Sequence, residues 1–167
     1  MKVIAIDPAL RKSGVAILDD SSGKIEAVHY GVLANPAKLR QSGCLVSIRD
    51  NLSDLIRKYE PDECAIEGII YVQSHRTAIT MGAARGAAIV ACAEAGMPVY
   101  EYAPKRVKQA VVGRGSAGKD QVSFMMRSLL KLRETPPPDA GDALAIGYCH
   151  LIAASSKNPA HPTGDRL

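Results

Sequence analysis

Four carboxylates sit where acids need a reason to be. Asp7 closes the apolar run Val3 to Ile6, and Glu67 closes the apolar run Cys64 to Ile66. Both runs are rich in residues that favour strands. Asp139 and Asp142 are three residues apart at the start of an apolar segment with helical periodicity, so they share one helical face. Four acids converging on one point would repel unless cations stood between them. An oxygen-only ligand set suits magnesium or manganese. Two such ions can hold a phosphate for in-line attack, one activating water and the other steadying the leaving oxygen. That chemistry needs no serine or cysteine nucleophile. A structural alternative exists for the last pair: Asp139 follows Pro138 and could cap the helix, with Asp142 as the third residue of a capping box. Capping does not explain why Asp7 and Glu67 also end apolar strands.

The elements that must position these acids follow from the pattern of the chain. Strands are expected over Val3 to Ile6, Gly14 to Leu18 and Ile25 to Leu33, forming an antiparallel meander with a turn from Asp19 to Lys24. Residues 36 to 59 carry apolar positions at three- and four-residue steps and predict a helix ended by Pro61. Cys64 to Glu67 predicts a fourth strand and Met97 to Tyr102 a fifth. Helices are expected near 76–95, 104–111, 119–132 and 139–154. This is an α/β order with a mixed five-stranded sheet and helices on both faces. If the strands ending in Asp7 and Glu67 are neighbours, both carboxylates emerge at one edge of the sheet, where α/β folds place their ligands.

A chain of 167 residues allows one domain, taken as residues 1–154, with a tail from 155 to 167 that lacks periodicity and is expected to be disordered. The formal net charge is +4. Lys105, Arg106, Lys108, Arg114 and Lys119 crowd one stretch, which is either a phosphate-facing surface or an ordinary solvated face. Gly113 to Lys119 has Walker-like spacing, but Asp120 replaces the hydroxyl residue and no strand feeds the loop, which argues against nucleotide hydrolysis. Cys44, Cys64, Cys92 and Cys149 have no metal-ligand spacing and read as buried thiols in a reducing compartment. No signal peptide or membrane span is evident, so a cytosolic setting is expected. The segment near 76–95 carries a small-residue surface suited to close helix packing, a subunit interface or packing on the domain's own sheet.

Several short motifs, in order, resemble the RuvC family of Holliday junction resolvases within the RNase H-like superfamily. They are I-D-P at 6–8, A-I-E at 65–67, A-R-G-A at 84–87, V-K-Q-A-V-V-G at 107–113, G-S-A-G-K at 115–119 and D-A-G-D-A-L-A-I at 139–146. The resemblance covers residues 1 to 154. It implies an endonuclease that cuts opposed strands of a four-way junction at symmetric positions, leaving 5′-phosphate and 3′-hydroxyl ends. It implies Asp7, Glu67, Asp139 and Asp142 as metal ligands for two Mg²⁺ ions per subunit, with Mn²⁺ able to substitute. Lys108 and Lys119 match lysines that contact DNA or assist at the scissile phosphate. A homodimer is implied, with its interface on the 76–95 helix, and so are branch-migration motor proteins as partners. Further DNA contacts are expected from Ile70, Tyr71, Arg76, Lys105 and Arg114.

The chain departs from the family at two places. Ala9 stands where relatives carry Gly. Within the matched motif, Gly141 loosens the start of the last helix. Ile70 replaces an aromatic residue expected at the junction centre, with Tyr71 adjacent to take over. The altered loop and the modest charge leave open a nuclease of the same fold acting on flaps, forks or other branched DNA. A catalytically silent junction-binding protein is a second alternative, which would need a core acid missing, and none is.

Overall fold

A computed structural model describes residues 1–69, 74–155 and 164–167. The described chain runs β1 (Lys2–Asp7), β2 (Lys12–Asp19), β3 (Glu26–Ala34), α1 (Gln41–Tyr59), β4 (Glu63–Glu67), α2 (His75–Glu94), β5 (Val99–Tyr102), α3 (Pro104–Val112), α4 (Lys119–Leu129), α5 (Pro138–Ser155) and β6 (Asp165–Arg166). The strands form one mixed sheet in the order β3-β2-β1-β4-β5-β6. The meander β1-β2-β3 is antiparallel, while β1, β4 and β5 run parallel.

The sheet has six strands rather than the five expected. The sixth comes from the chain end, where Asp165 and Arg166 pair antiparallel with Glu101 and Tyr100. Two residues are too few to leave a period in the sequence, so this strand is held by its partner rather than announced by its pattern. The expectation of a structureless tail therefore does not extend to the last residues of the chain.

Strand alternation divides the core. Ile4, Ile6, Val15, Ile17, Cys64 and Ile66 face α1 and α2. Val3, Ala5, Ala16, Leu18 and Ala65 face α3, α4 and α5. The second face is unusually small, and this lets α5 lie close against it. Gly147 takes this furthest: a Cβ there would fall 2.5 Å from Leu18 Cδ1 and 3.0 Å from Ala5 Cβ. α5 is buried nearly all round, covered by the sheet on one side and by α3 and α4 on the other.

Two helix boundaries differ from the sequence expectation for local reasons. α1 starts at Gln41 rather than 36, because the carbonyls of Pro36 and Leu39 accept hydrogen bonds from the Arg11 guanidinium at 2.6 and 3.0 Å. α4 stops at Leu129, and Lys131 turns the chain with a left-handed φ of 52°.

His150 lies on the buried side of α5 and does not join the acids. Its Nδ1 is 2.9 Å from the Tyr102 hydroxyl and its Nε2 is 2.8 Å from Glu63 Oε2. Glu63 opens β4 whereas Glu67 closes it, so this network braces the opposite end of the strand. Burial pushes the His150 pKa down against the opposing pull of Glu63, and burial raises Tyr102 to about 12.

Candidate active site

Asp7 and Glu67 end adjacent parallel strands, since Ile6 pairs with Ile66 and each acid is the next residue. Alternation settles their direction. Asp7 has the parity of Val3 and Ala5, and Glu67 that of Ala65, so both point to the face covered by α5. The two carboxyls lie close enough for the charge of Asp7 to raise the pKa of Glu67. Beyond Asp7, the turn is locked by Ser13, whose hydroxyl donates to the Ala9 carbonyl at 2.7 Å and accepts from the Ala9 N–H at 3.1 Å. Ala9 is not among the positive-φ residues, so the family's glycine is not needed for this turn.

The other acids arrive on α5. Gly14, the β-partner of Asp7, makes this possible: a Cβ at Gly14 would lie 1.9 Å from the Asp139 carbonyl oxygen. Gly141 serves a similar purpose towards α4, where a Cβ would fall 2.4 Å from the buried Ser123 hydroxyl oxygen. The glycine read as loosening the helix start is thus a contact point between helices. Pro138 and Asp139 already lie within α5, so Asp139 is a first-turn acid rather than the capping residue. Its carboxylate points to Lys119.

Among the described residues, Lys119 is the one predicted DNA-binding residue that the structure brings into the acidic cluster. Its Nζ is 2.9 Å from Asp142 Oδ2 and 3.4 Å from Asp139 Oδ1. The Asp142 side chain is 14% exposed and that of Asp139 30%, so Asp142 is the more enclosed of the two. Lys105, Lys108, Arg114 and Arg76 make no ion pair among the described residues. Lys105 and Arg114 are exposed, and the Lys105 backbone lies against Gly115, which folds the basic loop onto α3. Arg76 is exposed in the first turn of α2. Ile70 and Tyr71 lie outside the described residues.

The electrostatics are those of a cluster short of positive charge. Burial raises Asp7 to about 6, reinforced by repulsion from Asp142 and opposed by Lys119. Burial raises Glu67 further, to about 8, with repulsion from Asp7 and Asp142 adding to it. Burial works against the charge on Lys119, but the hydrogen bond to Asp142 and the attraction of the other acids outweigh it and hold its pKa above the usual lysine value. Among the described residues no three acids, histidines or cysteines are drawn into a closed coordination shell. The ammonium of Lys119 occupies the space between Asp139 and Asp142 and supplies part of the missing charge. The donor set nonetheless fits a hard divalent cation: it is oxygen-only, half-buried and strained by its own repulsion.

A prediction follows for the metal-free protein. Asp7 and Glu67 both bind protons more tightly folded than unfolded, so their contribution to stability is complete below about pH 4 and is lost as pH rises through about 6 to about 8. Lys119 stays charged throughout that window. In EDTA the Tm should fall by roughly 4–8 °C between pH 5 and pH 8.5, corresponding to about 2 kcal/mol. Magnesium should restore most of the loss at the higher pH, and Glu67→Gln should flatten the profile. A Tm independent of pH in all three samples would show that the acids do not repel in the folded state.

The arrangement matches known proteins across nearly its whole length. Residues 3–150 match the family described as crossover junction endodeoxyribonuclease RuvC. A member of that description from Akkermansia muciniphila is 56% identical over 154 residues, covering 92% of each chain. One from Pelobacter propionicus is 45% identical over 151 residues, covering 90% of this chain and 86% of the other. Among solved structures, Thermus thermophilus RuvC in complex with a Holliday junction substrate superposes with a TM-score of 0.89 at 31% identity, covering 100% of this chain and 99% of the other. With the mixed sheet, the acids at its edge and this similarity together, the chain belongs to the RuvC family of crossover junction endodeoxyribonucleases, within the RNase H-like superfamily.

Proposed function

We propose that this protein resolves four-way DNA junctions by paired, symmetric hydrolysis of phosphodiesters, leaving 5′-phosphate and 3′-hydroxyl ends. The observation that carries this is the meeting of Asp7, Glu67, Asp139 and Asp142 at one sheet edge, in a chain whose relatives are named crossover junction endodeoxyribonucleases. Asp7, Glu67, Asp139 and Asp142 would hold two magnesium ions, or manganese in their place. The bound ions supply charge neutralisation, an activated water and stabilisation of the leaving oxygen.

The protein's own residues do the rest. The strand ends fix Asp7 and Glu67 against rigid backbone, so their oxygens are presented without reorganisation. α5 brings Asp142 and Asp139 from the opposite side. Lys119 holds that pair when the site is empty of phosphate, and its ammonium is then placed to receive the negative charge of the scissile group. Lys105, Lys108, Arg114 and Arg76, which make no ion pair among the described residues, are cations suited to the DNA backbone. Ile70 and Tyr71 belong to the segment proposed to read the junction centre.

Paired cuts call for two sites, and we place the dimer interface on α2. Ala84, Ala88, Ala91 and Cys92 face this chain's own sheet. The outer side carries Ile79, 69% exposed, and Val90, 48% exposed, with Gly82 and Gly86 open between them. That stripe permits close approach of a second copy around a two-fold axis. Ile79→Asp should convert the dimer to monomer in light scattering at micromolar concentration, and turn paired cleavage into single uncoupled nicks. An unchanged dimer mass would place the interface elsewhere.

The nuclease unit is taken as residues 1–154, working in the cytosol with branch-migration motor proteins as partners. No helix among the described residues is long and apolar enough to cross a membrane, and the four cysteines are buried and free. The substrate is tested by comparing a four-way junction with a fork, a flap and a linear duplex. Preference for the junction supports the proposal. Equal cutting of forks or flaps would favour the broader nuclease, and tight binding without cutting the silent junction-binding protein.

A further inference from the structure

We propose that the ion pair between Arg85 on α2 and Glu101 on β5 is a positioning device for Glu67, acting through Gly68. The inference rests on the nuclease reading of Glu67 and goes beyond it to two residues outside the acidic cluster.

Arg85 Nη2 donates to Glu101 Oε2, with the side chains 19% and 32% exposed. Glu101 pairs with Ile66 in the parallel β4–β5 ladder, so its side chain stands on the α2 face, one residue from Glu67, which points to the other face. The next residue, Gly68, is buried and has the parity of Ile66. A Cβ at Gly68 would lie 2.9 Å from Glu101 Cδ, 3.0 Å from Cγ and 3.1 Å from Oε1. The Glu101 carboxylate therefore fills the place where a side chain on residue 68 would sit. In the plane of the sheet, the Gly68 N–H donates to the Tyr102 carbonyl at 3.0 Å. Gly68 is thus held from two directions by consecutive residues of β5, through the backbone of Tyr102 and the side chain of Glu101. Arg85 decides where that side chain goes.

The energetics argue for geometry over stability. A partly buried ion pair contributes little net stability once desolvation is counted. This one also leaves Arg85 Nε buried with no hydrogen-bond partner, which is a cost. The pair is better explained by what it holds in place. β4 ends at Glu67, and the chain leaves the sheet at Gly68, so the peptide that carries the Glu67 carbonyl is tied to β5 through its N–H, by the bond from Gly68 to the Tyr102 carbonyl. The packed Glu101 carboxylate adds a restraint from the α2 face, perpendicular to that bond.

The test uses Glu101→Gln, Gly68→Ala, Arg85→Ala and Arg85→Lys in the full-length protein. Four quantities are measured: the single-turnover cleavage rate at saturating junction, the magnesium concentration for half-maximal rate, the junction Kd in calcium, and the rise in Tm caused by magnesium. A small misplacement of a reacting group costs one to two powers of ten in rate. Glu101→Gln, Gly68→Ala and Arg85→Ala should each lower the saturated rate by about tenfold or more. Each should raise the magnesium requirement several-fold and shrink the magnesium-induced Tm rise, with the junction Kd and the EDTA Tm little changed. Arg85→Lys keeps a cation and should recover most of the rate. Gly68→Ala probes the same contact from the other side, because it keeps both ion-pairing groups and sets a methyl group against the Glu101 carboxylate. Wild-type behaviour of Glu101→Gln and Gly68→Ala would overturn the inference, as would losses that follow junction Kd or EDTA Tm. Wild-type cleavage abolished by Asp7→Asn in the same assay separates failure of this inference from failure of the nuclease reading.

Discussion

Asp7→Asn should abolish junction cleavage while leaving junction binding intact. The substitution keeps the shape of the side chain and removes one negative charge from the most crowded point of the cluster. Asp7 ends the strand beside Glu67 and is repelled by both Asp142 and Asp139, so it lies between the strand pair and α5. Loss of a residue that acts as part of a unit costs about 10³-fold or more in turnover. The same change relieves repulsion in the metal-free protein, so the variant should melt higher than wild type in EDTA at pH 8 and gain less from magnesium. Opposite signs for activity and stability distinguish a functional acid from a structural one. Retention of more than about a tenth of wild-type cleavage would remove Asp7 from the centre of the site.

The second large effect is expected from a residue with no functional group. In Gly14→Ala the new Cβ would meet the Asp139 carbonyl oxygen at 1.9 Å and its carbon at 2.7 Å. Both are backbone atoms at the first turn of α5, so relief requires the helix to lift from β2. Overpacking of this kind costs about 1–3 kcal/mol, which for a domain of this size lowers the Tm by roughly 2–12 °C. Because Asp139 and Asp142 ride on that turn, cleavage should fall by more than the folded fraction explains. Gly147→Ala provides the comparison. Its Cβ would meet the flexible end of Leu18 at 2.5 Å and Ala5 Cβ at 3.0 Å, some two turns further along the helix. It should cost stability with a smaller effect on the rate per folded molecule. Equal specific activities for the two variants would show that α5 does not need its seat at Gly14 to present the acids.

The acids were legible because strand ends and helix starts leave strong marks. An apolar run of β-branched residues closed by a carboxylate is unusual enough at Asp7 and Glu67 to be read directly, and the three-residue step from Asp139 to Asp142 needs only helix geometry. The alternation of Val3, Ile4, Ala5 and Ile6 even contains the side of the sheet on which Asp7 emerges. Lys119 was harder. By charge alone it belongs to a basic stretch, and only the resemblance singled it out with Lys108; in the fold Lys119 joins Asp139 and Asp142 while Lys108 makes no ion pair among the described residues. That separation depends on how α4 docks against α5, which no local pattern encodes.

Other features were invisible for the same reason. Gly14 reads as an ordinary strand residue until α5 is packed on it. Ser13, which locks the turn after Asp7, has no motif of its own. The pairing of His150 with Glu63 and Tyr102 joins residues 87 and 48 positions apart. His150 follows Asp142 by about two turns of α5, yet its side chain serves the far end of β4. Arg85 and Glu101 meet across the boundary between a helix and a strand, and the A-R-G-A motif marks the first of them without saying what it holds. β6 is formed by two residues that take their conformation from β5.

The most direct measurement uses a symmetric four-way junction labelled in turn on each strand, incubated with the protein in magnesium and then with DNA ligase. Nicks are expected at equivalent positions on two opposed strands, with none in EDTA, and ligase should seal the products without further processing. Tight junction binding with no cleavage in magnesium or manganese would contradict the proposed function, as would nicks that ligase cannot close.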